Sequence, residues 1–132
     1  MKKREASEHS RVEAWMRHHL KQNPHIALKV ELKHTRDTLS LPYAALEPHQ
    51  LDYLLSFANS EPFVYKFDDT GYRQKPCDLI GVTGGLSLVA IRYPSSLPLL
   101  SVFVWQEEQR TSKRKSLTEE RARVLAYDVI EV

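Results

Sequence analysis

Hydrophobic residues recur at helical spacing in two segments of the chain, and a capping signal marks a third. Residues 6–22 form the first segment, and Pro24 shortly after it disfavours further helix. Residues 48–59 form the second, with Pro48 at the first helical position, which proline suits. In the third, a serine and a glutamate have the spacing of a capping box, which predicts a helix over 116–127. We therefore expect helices at the beginning, in the middle and at the end of the chain.

Shorter apolar runs predict five strands. They are residues 26–33, 62–67, 77–82, 86–93 and 99–105. The first alternates between apolar and polar positions, whereas the last is apolar throughout and is typical of a buried strand. The third and fourth are joined by Thr83-Gly84-Gly85, which has the composition of a hairpin turn. Residues 34–46 are expected to form a loop.

The order of these elements predicts a small mixed α/β sheet flanked by helices. Because a helix lies between the first two strands, we expect those two strands to be parallel, with antiparallel strands added later. A chain of 132 residues is most simply a single domain.

Composition changes this picture little. Apolar residues make up 42% of the chain and charged residues 27%, which is typical of a globular protein. A net charge of +2 is too small to indicate a polyanionic partner by itself. The single cysteine, Cys77, excludes an internal disulfide and fits a reducing compartment. No apolar run has membrane-spanning length and the N-terminus lacks a signal-peptide core, so we expect a cytoplasmic location.

The first strand carries the most suggestive pair of polar residues. Glu31 and Lys33 are two positions apart, so in a strand they lie on one side, about 7 Å from each other along the chain. Phosphodiester hydrolysis needs a hard cation held by carboxylates and benefits from a fixed positive group near the developing charge. This pair supplies one group of each kind. The alternative is a solvated strand face with alternating charge.

Two further acids are candidates for the same site. Asp78 opens an apolar strand, where the sheet would fix its position, although it could equally be a turn residue that satisfies loop amides. Glu8 lies on the side of the first helix that must face the sheet, and a carboxylate there needs a partner or a metal. Alternatively, Glu8 lies in a frayed first turn and contacts water.

Polar and basic residues elsewhere suggest a phosphate-binding surface. His49 and Gln50 open the second helix, where they could bind a metal-bound water or a phosphate, or simply cap the helix. A basic cluster near the C-terminus could follow a phosphate backbone, or could be a solvated connector. Zinc-type spacing, a glycine-rich phosphate loop and a nucleophilic serine elbow are absent from the sequence.

Taken together, the sequence resembles the PD-(D/E)XK nuclease superfamily, and within it the small phage-type Holliday-junction resolvases. The matching strings are "VELK", "LPYAALEPHQLDYLL", "KPCD" and "SKRKSLTEERA", which together cover most of the chain. The motif order departs from the usual one, since the metal-binding aspartate normally precedes E-x-K, whereas Asp78 follows it. A rearranged strand connectivity would rebuild the same cluster if the strand of Asp78 lies beside that of Glu31. If it does not, Asp68 or Asp69 is the next candidate.

The resemblance implies a restriction-endonuclease-like core with permuted strand order and a metal-dependent endonuclease that cuts branched DNA. Glu31 and Asp78 would hold Mg²⁺, or Mn²⁺ in its place, with help from the Leu32 carbonyl and from Glu8. Lys33 would orient water or neutralise charge.

In the same resemblance, Gln50 would position water or the Lys33 side chain. Arg36, Lys113, Arg114 and Lys115 would bind the DNA backbone without reading its sequence. A homodimer would make the two symmetric cuts that resolution requires, in the bacterial cytoplasm if the protein is phage-encoded.

Other functions remain open. The chain could be a DNA-binding module that kept the fold and lost the metal site, or a nuclease with another nucleic-acid substrate. It could also be a protein-interaction domain in which the Glu31 and Lys33 face is simply solvated.

Overall fold

The structure is a computed structural model that describes residues 2–24, 26–36, 38–59, 63–67, 78–82 and 85–132. It describes the side chains of all these residues except 2–7, 63–67 and 78–82. In this part of the chain the helices are α1 (Lys2–Gln22), α2 (Pro48–Ala58), α3 (Val102–Thr111) and α4 (Glu119–Leu125). The strands are β1 (Ala27–His34), β2 (Ser40–Pro42), β3 (Phe63–Phe67), β4 (Asp78–Val82), β5 (Gly85–Arg92), β6 (Ser96–Ser101), β7 (Ser116–Thr118) and β8 (Asp128–Glu131).

The central element is a mixed four-stranded sheet in the order β1-β5-β6-β8. β1 pairs with β5 in parallel, and the pairs β5–β6 and β6–β8 are antiparallel. Two further two-stranded sheets, β2–β7 and β3–β4, are both antiparallel. The prediction of a mixed α/β fold is therefore confirmed.

Hydrophobic side chains pack on both faces of the central sheet. On one face, Val12 of α1 packs with Leu88 and Leu99, and Val30 and Leu32 of β1 lie against this cluster. On the other face, residues of α2, α3 and α4 form a second cluster with β5. Its helical members include Leu54, Val102, Trp105 and Ala122, all buried. β1 is an edge strand of the sheet, covered by α1 on one face and by α2 on the other.

The pairing of the strands differs from the predicted one in two respects. The parallel partner of β1 is β5 instead of the next strand along the chain, so the β3–β4 pair is inserted between α2 and β5. The hairpin predicted at Thr83-Gly84-Gly85 is wrong in its pairing, since β4 pairs with β3 and β5 pairs with β1 and β6. Gly85 explains part of this, because a Cβ there would lie 2.4 Å from the Phe57 carbonyl oxygen. The lack of a side chain at Gly85 permits close packing against α2, and the residue types at 83–85, which are typical of a turn, do not reveal this role.

The apolar run 99–105, predicted as one strand, divides at Ser101. β6 ends at Ser101, and the Ser101 hydroxyl accepts a hydrogen bond from the Phe103 amide at the start of α3. A serine N-cap satisfies a main-chain donor that would otherwise lack a partner at the helix start. Helix therefore begins within a run whose hydrophobicity alone favours strand.

The C-terminal segment is also more divided than predicted. Ser116 lies in β7, and Thr118 is the N-cap of α4, accepting a hydrogen bond from the Arg121 amide. The predicted helix over 116–127 therefore starts late and ends early, and β8 follows it unpredicted. The predicted loop over 34–46 contains β2 and a 3₁₀ turn at Tyr43–Ala45. In the described residues, no helix combines membrane-spanning length with the apolar character that a bilayer requires.

Candidate functional site

The alternation of β1 directs the E-x-K pair toward α2. Val30 and Leu32 pack against the α1 face of the sheet, so Glu31 and Lys33, at the intervening positions, point to the opposite face. There they meet Gln50, in the first turn of α2. The expected side-by-side placement of Glu31 and Lys33 is found, and a third polar group joins them.

Glu31, Lys33 and Gln50 form a closed polar network. The Lys33 ammonium donates to Gln50 Oε1 at 2.9 Å, and Gln50 Nε2 donates to Glu31 Oε1 at 3.2 Å. Lys33 Nζ also lies 3.6 Å from Glu31 Oε1. These partners fix the orientation of the Gln50 amide, since its oxygen faces a cation and its nitrogen faces a carboxylate.

The start of α2 holds Gln50 in this position. Gln50 Oε1 accepts a second hydrogen bond, at 3.0 Å, from the main-chain amide of Glu47, which is the N-cap residue. The Glu47 side chain in turn accepts from the main-chain amide of Gln50, which completes a capping box, and Pro48 occupies the first turn. Gln50 therefore caps the helix and orients Lys33 with the same side chain.

Glu31 remains accessible in spite of these contacts. Its side chain is 35% exposed, against 18% for Lys33. An open pocket of about 280 Å³ lies along the edge strand at this point. Its lining residues are His9, Val12, Glu13, Met16, Val30, Glu31 and Leu32. This pocket lies on the α1 side of β1, so it gives access to the edge of the strand, whereas access to the Glu31 carboxylate on the α2 side follows from its 35% exposure.

Glu8 is placed in a different cluster. Its carboxylate oxygen lies 3.1 Å from His34 Nε2 and 3.2 Å from Arg92 Nε, and the residue is only 3% exposed. His34 has the same position in the strand alternation as Leu32, so it lies on the α1 face. The structure thus brings Glu8 to Arg92 and His34 instead of to Glu31. The buried carboxylate that the sequence indicated is balanced by the Arg92 guanidinium.

Asp78 begins β4, and its main chain pairs with Phe67 of β3. The strand beside β1 is β5, where Val89 is the main-chain neighbour of Glu31. The Asp78 side chain lies outside the described part of the structure, as do Asp68 and Asp69. In the described residues β4 thus pairs with β3 and not with β1, so direct strand pairing does not bring Asp78 to Glu31, and the position of the Asp78 carboxylate stays a prediction.

The donors at β1 fit a magnesium ion in part. In the described part of the chain, no group of three or more histidine, cysteine, aspartate or glutamate side chains converges as a metal cage. Mg²⁺, however, commonly uses one or two protein carboxylates together with substrate phosphate and water. Lys33 and Gln50 both contact Glu31 Oε1, so the contacts within the network leave the second oxygen of this partly exposed carboxylate for a cation. Glu31 can thus supply one ligand, the role of the Leu32 carbonyl stays a prediction, and the remaining ligands must come from elsewhere.

The predicted DNA-binding residues are all exposed. Arg36 follows β1 with a left-handed backbone (φ 56°), and its amide donates to His34 Nδ1 at 2.6 Å. Lys113, Arg114 and Lys115 form the loop between α3 and β7. The carbonyl of Lys115 accepts a hydrogen bond from the Tyr43 amide, which ties this loop to the segment that leads into α2.

An open pocket of about 290 Å³ adjoins the basic loop. Its lining residues are Tyr43, Glu108, Ser112, Lys113, Arg114, Ser116, Leu117, Thr118 and Arg121. Arg121 is engaged with both oxygens of Glu108, at 2.9 and 3.2 Å, so its charge is largely compensated. Burial raises the pKa of the Tyr43 phenol, which therefore stays a neutral lining group at physiological pH.

The sequence interpretation missed two contacts near the site. Arg92 is the partner of Glu8, and Lys29 lies over the ring of Tyr53, 3.1 Å from its centroid. A signal for the second contact was present, because Lys29 shares the alternation of Glu31 and Lys33, and Tyr53 lies three residues after Gln50 on α2.

Comparison of the chain with models of protein families, with curated proteins and with solved structures finds no match. The functional interpretation therefore depends on the geometry at β1 and α2.

Proposed function

We propose that the protein is a metal-dependent endonuclease that hydrolyses phosphodiester bonds in branched DNA, on a restriction-endonuclease-like core with rearranged strand order. The observation that carries the proposal is the network of Glu31, Lys33 and Gln50 between an edge strand and α2, in which the Glu31 side chain is 35% exposed. It combines an accessible carboxylate with an ammonium group whose position is fixed by a helix cap. A solvated strand face does not require a third residue that orients both members of the pair.

In this proposal Glu31, the Leu32 carbonyl and Asp78 hold Mg²⁺, for which Mn²⁺ can substitute. The cation would lower the pKa of a coordinated water and offset negative charge on the phosphate. Glu8 is not part of this set, because its carboxylate is engaged with Arg92 and His34 on the other face of the sheet.

Lys33 is the group that stabilises developing charge. Its ammonium is 18% exposed and donates to Gln50 Oε1, which leaves further N–H groups to bind a water or a phosphate oxygen. A positive group that is already oriented stabilises a transition state without reorganising during the reaction. Gln50 acts as a positioning residue that keeps the Lys33 side chain beside Glu31.

The substrate contacts follow from the exposed basic residues. Arg36 continues directly from the strand that carries the site, and Lys113, Arg114 and Lys115 present three further cations on one loop. Such groups bind phosphates and position a duplex without reading bases. We propose a homodimer as the active form, because two-fold symmetry provides two identical sites for two cuts. Sedimentation of the purified chain would test this against the 15.3 kDa mass of one copy.

Cleavage of a labelled four-way junction in the presence of Mg²⁺ tests the proposal. We expect Glu31→Gln, Lys33→Met and Asp78→Asn each to reduce the cleavage rate at least roughly 100-fold, in line with loss of an electrostatic catalytic group. The matched control is Glu131→Gln, which removes an exposed carboxylate on β8 at the opposite edge of the sheet. Wild-type activity in Glu31→Gln would exclude the proposed site, and full activity in Asp78→Asn would remove that residue from the metal set.

One observation favours a second function, a DNA-binding module without catalysis. Among the described residues, Glu31 is the one carboxylate within hydrogen-bond or ion-pair distance of Lys33. A single carboxylate beside the lysine is what a fold that has lost its metal site would show. A module of this kind would bind the junction equally well in wild-type and Glu31→Gln forms and would cut in neither. Linear duplex, single strands and an RNA junction, assayed beside the DNA junction, separate both functions from a nuclease with another substrate.

A further inference from the structure

Tyr53 is an exposed aromatic residue whose ring has a fixed cation beside it. The residue is 64% exposed, although on the same helix Leu51, Leu54, Leu55 and Ala58 belong to the core or pack against it. Lys29 Nζ lies 3.1 Å from the centroid of the Tyr53 ring and 5.8 Å from that of Phe57. An exposed tyrosine contributes little to the core, so its packing does not account for its presence on this surface.

Lys29 and Tyr53 continue the surface of the proposed catalytic network. Lys29, Glu31 and Lys33 alternate along one face of β1, at steps of about 7 Å. Gln50 and Tyr53 are three residues apart, which places them side by side on α2. The two helix residues contact successive positions of the strand: Gln50 contacts Glu31 and Lys33, and Tyr53 contacts Lys29. The aromatic ring therefore lies beside Lys29, one two-residue strand step of about 7 Å from Glu31.

These features together match the chemistry of an unpaired nucleotide. Single-stranded nucleic acid is bound by aromatic rings that stack on bases and by cations that contact the adjoining phosphates. Tyr53 supplies the ring and Lys29 the cation; because Lys29 lies over one face of the ring, a base would stack on the opposite face of this 64% exposed residue.

We propose that Lys29 and Tyr53 form a subsite that stacks an unpaired nucleobase of the DNA next to the cleaved bond. The subsite rests on the proposed nuclease function and would explain a preference for branch points, because a base pair at the point of strand exchange lacks a continuous stacking neighbour and opens more readily than one inside a duplex. Tyr53 acts here as a specificity residue, separate from the groups that carry out hydrolysis.

Fluorescence of 2-aminopurine placed at an unpaired position beside the branch point of a junction tests this subsite. The protein used is the full chain with Glu31→Gln, so that Mg²⁺ can be present without cleavage. We expect binding to quench the probe, and Tyr53→Leu in this background to abolish the quenching and weaken junction binding roughly 5-fold to 100-fold. Tyr53→Phe, which retains the ring, is expected to preserve both quenching and affinity.

Two controls isolate the effect of Tyr53. Phe103→Leu removes another exposed aromatic ring, which is 46% exposed on α3, and should leave binding unchanged. A fully paired duplex should bind wild-type and Tyr53→Leu proteins equally. Quenching and affinity that survive Tyr53→Leu would overturn the subsite, even if the wild-type protein cuts junctions. Failure to bind any DNA would instead contradict the proposed function, and both results can be read from the same titrations.

Discussion

At the scale of single residues, Gly85 occupies the closest approach between α2 and the sheet. A Cβ at this position would lie 2.4 Å from the Phe57 carbonyl oxygen and 2.7 Å from two atoms of the Phe57 ring. Because the nearest atom belongs to the main chain, a side-chain rotation cannot relieve the contact. We expect Gly85→Ala to lower the free energy of unfolding by about 1 to 3 kcal/mol, measured by urea denaturation. Ser95→Ala, at an exposed position, is the control, and equal stability of the two variants would contradict the packing described.

Tyr93 makes stability depend on pH in the alkaline range. Its hydroxyl is buried and donates to the Leu117 carbonyl at 2.7 Å, and burial raises the pKa of this phenol well above its ordinary value. The unfolded chain then loses the phenolic proton at about pH 10, while the folded chain retains it. Stability is therefore full below this pH and falls as pH rises further, by up to about 1.4 kcal/mol per pH unit for one group.

Urea denaturation at about pH 8 and about pH 10.5 measures this dependence. We expect Tyr93→Phe to have a shallower loss of stability between the two values than wild type, even though it lacks the hydrogen bond to Leu117. Some dependence should persist, since burial also raises the pKa of Tyr43. An unchanged slope in Tyr93→Phe would show that this phenol does not control the alkaline behaviour.

The candidate site was predictable from the sequence where local periodicity determines the geometry. Two-residue alternation suffices to place Glu31 beside Lys33, and the capping position of Gln50 brings it to the same surface. The residues that Glu8 contacts were not predictable, since its partner Arg92 lies on a strand far along the chain. Its inward direction followed from helical spacing, but the sheet topology decides which groups it meets.

At the scale of elements, capping residues decide where helices begin. The sequence pattern indicates a capping box at Ser116 and Glu119, whereas in the structure Thr118 caps α4 and Ser116 belongs to β7. Spacing alone cannot separate these possibilities, because serine and threonine are both favoured caps. The pairing of β7 with β2, distant in sequence, keeps Ser116 extended and so moves the start of the helix.

Matched alanine substitutions test the position of this cap. We expect Thr118→Ala to lower the free energy of unfolding by about 1 kcal/mol, because the Arg121 amide loses its acceptor. Ser116→Ala should cost less than half as much. A larger loss of stability in Ser116→Ala than in Thr118→Ala would instead support a capping box at Ser116 and Glu119, as the sequence pattern indicates.

Strand pairing was the least predictable feature at this scale. The alternation of β1 and the apolar run of β5 were both recognisable, yet nothing local shows that they pair with each other across α2 and the β3–β4 insertion. β8 was missed for a related reason. Its four residues show no strong pattern, and it is defined by pairing with β6.

At the scale of the whole molecule, the exposed basic residues predict how the proposed DNA binding responds to salt. A bound phosphate displaces condensed counterions, so the logarithm of affinity falls linearly with the logarithm of salt concentration. We expect Lys113→Gln and Arg114→Gln each to reduce this slope by about 0.9, without changing the preference between DNA sequences. Lys21→Gln, an exposed lysine at the end of α1, is the matched control and should leave the slope unchanged. An unaltered slope in the two loop variants would place the DNA elsewhere on the surface.

The contact of Gly85 with Phe57 has a consequence for protein engineering. Since Phe57 near the end of α2 and Gly85 at the start of β5 lie in contact, the two ends of the excursion over residues 59–84 meet, and a short flexible linker could replace it. Asp78 lies within this excursion, whereas Glu31, Lys33 and Gln50 all lie outside it. We expect a shortened chain to unfold cooperatively and, under the proposed function, to lose hydrolysis, and the point where Phe57 meets Gly85 offers a place to graft a reporter domain.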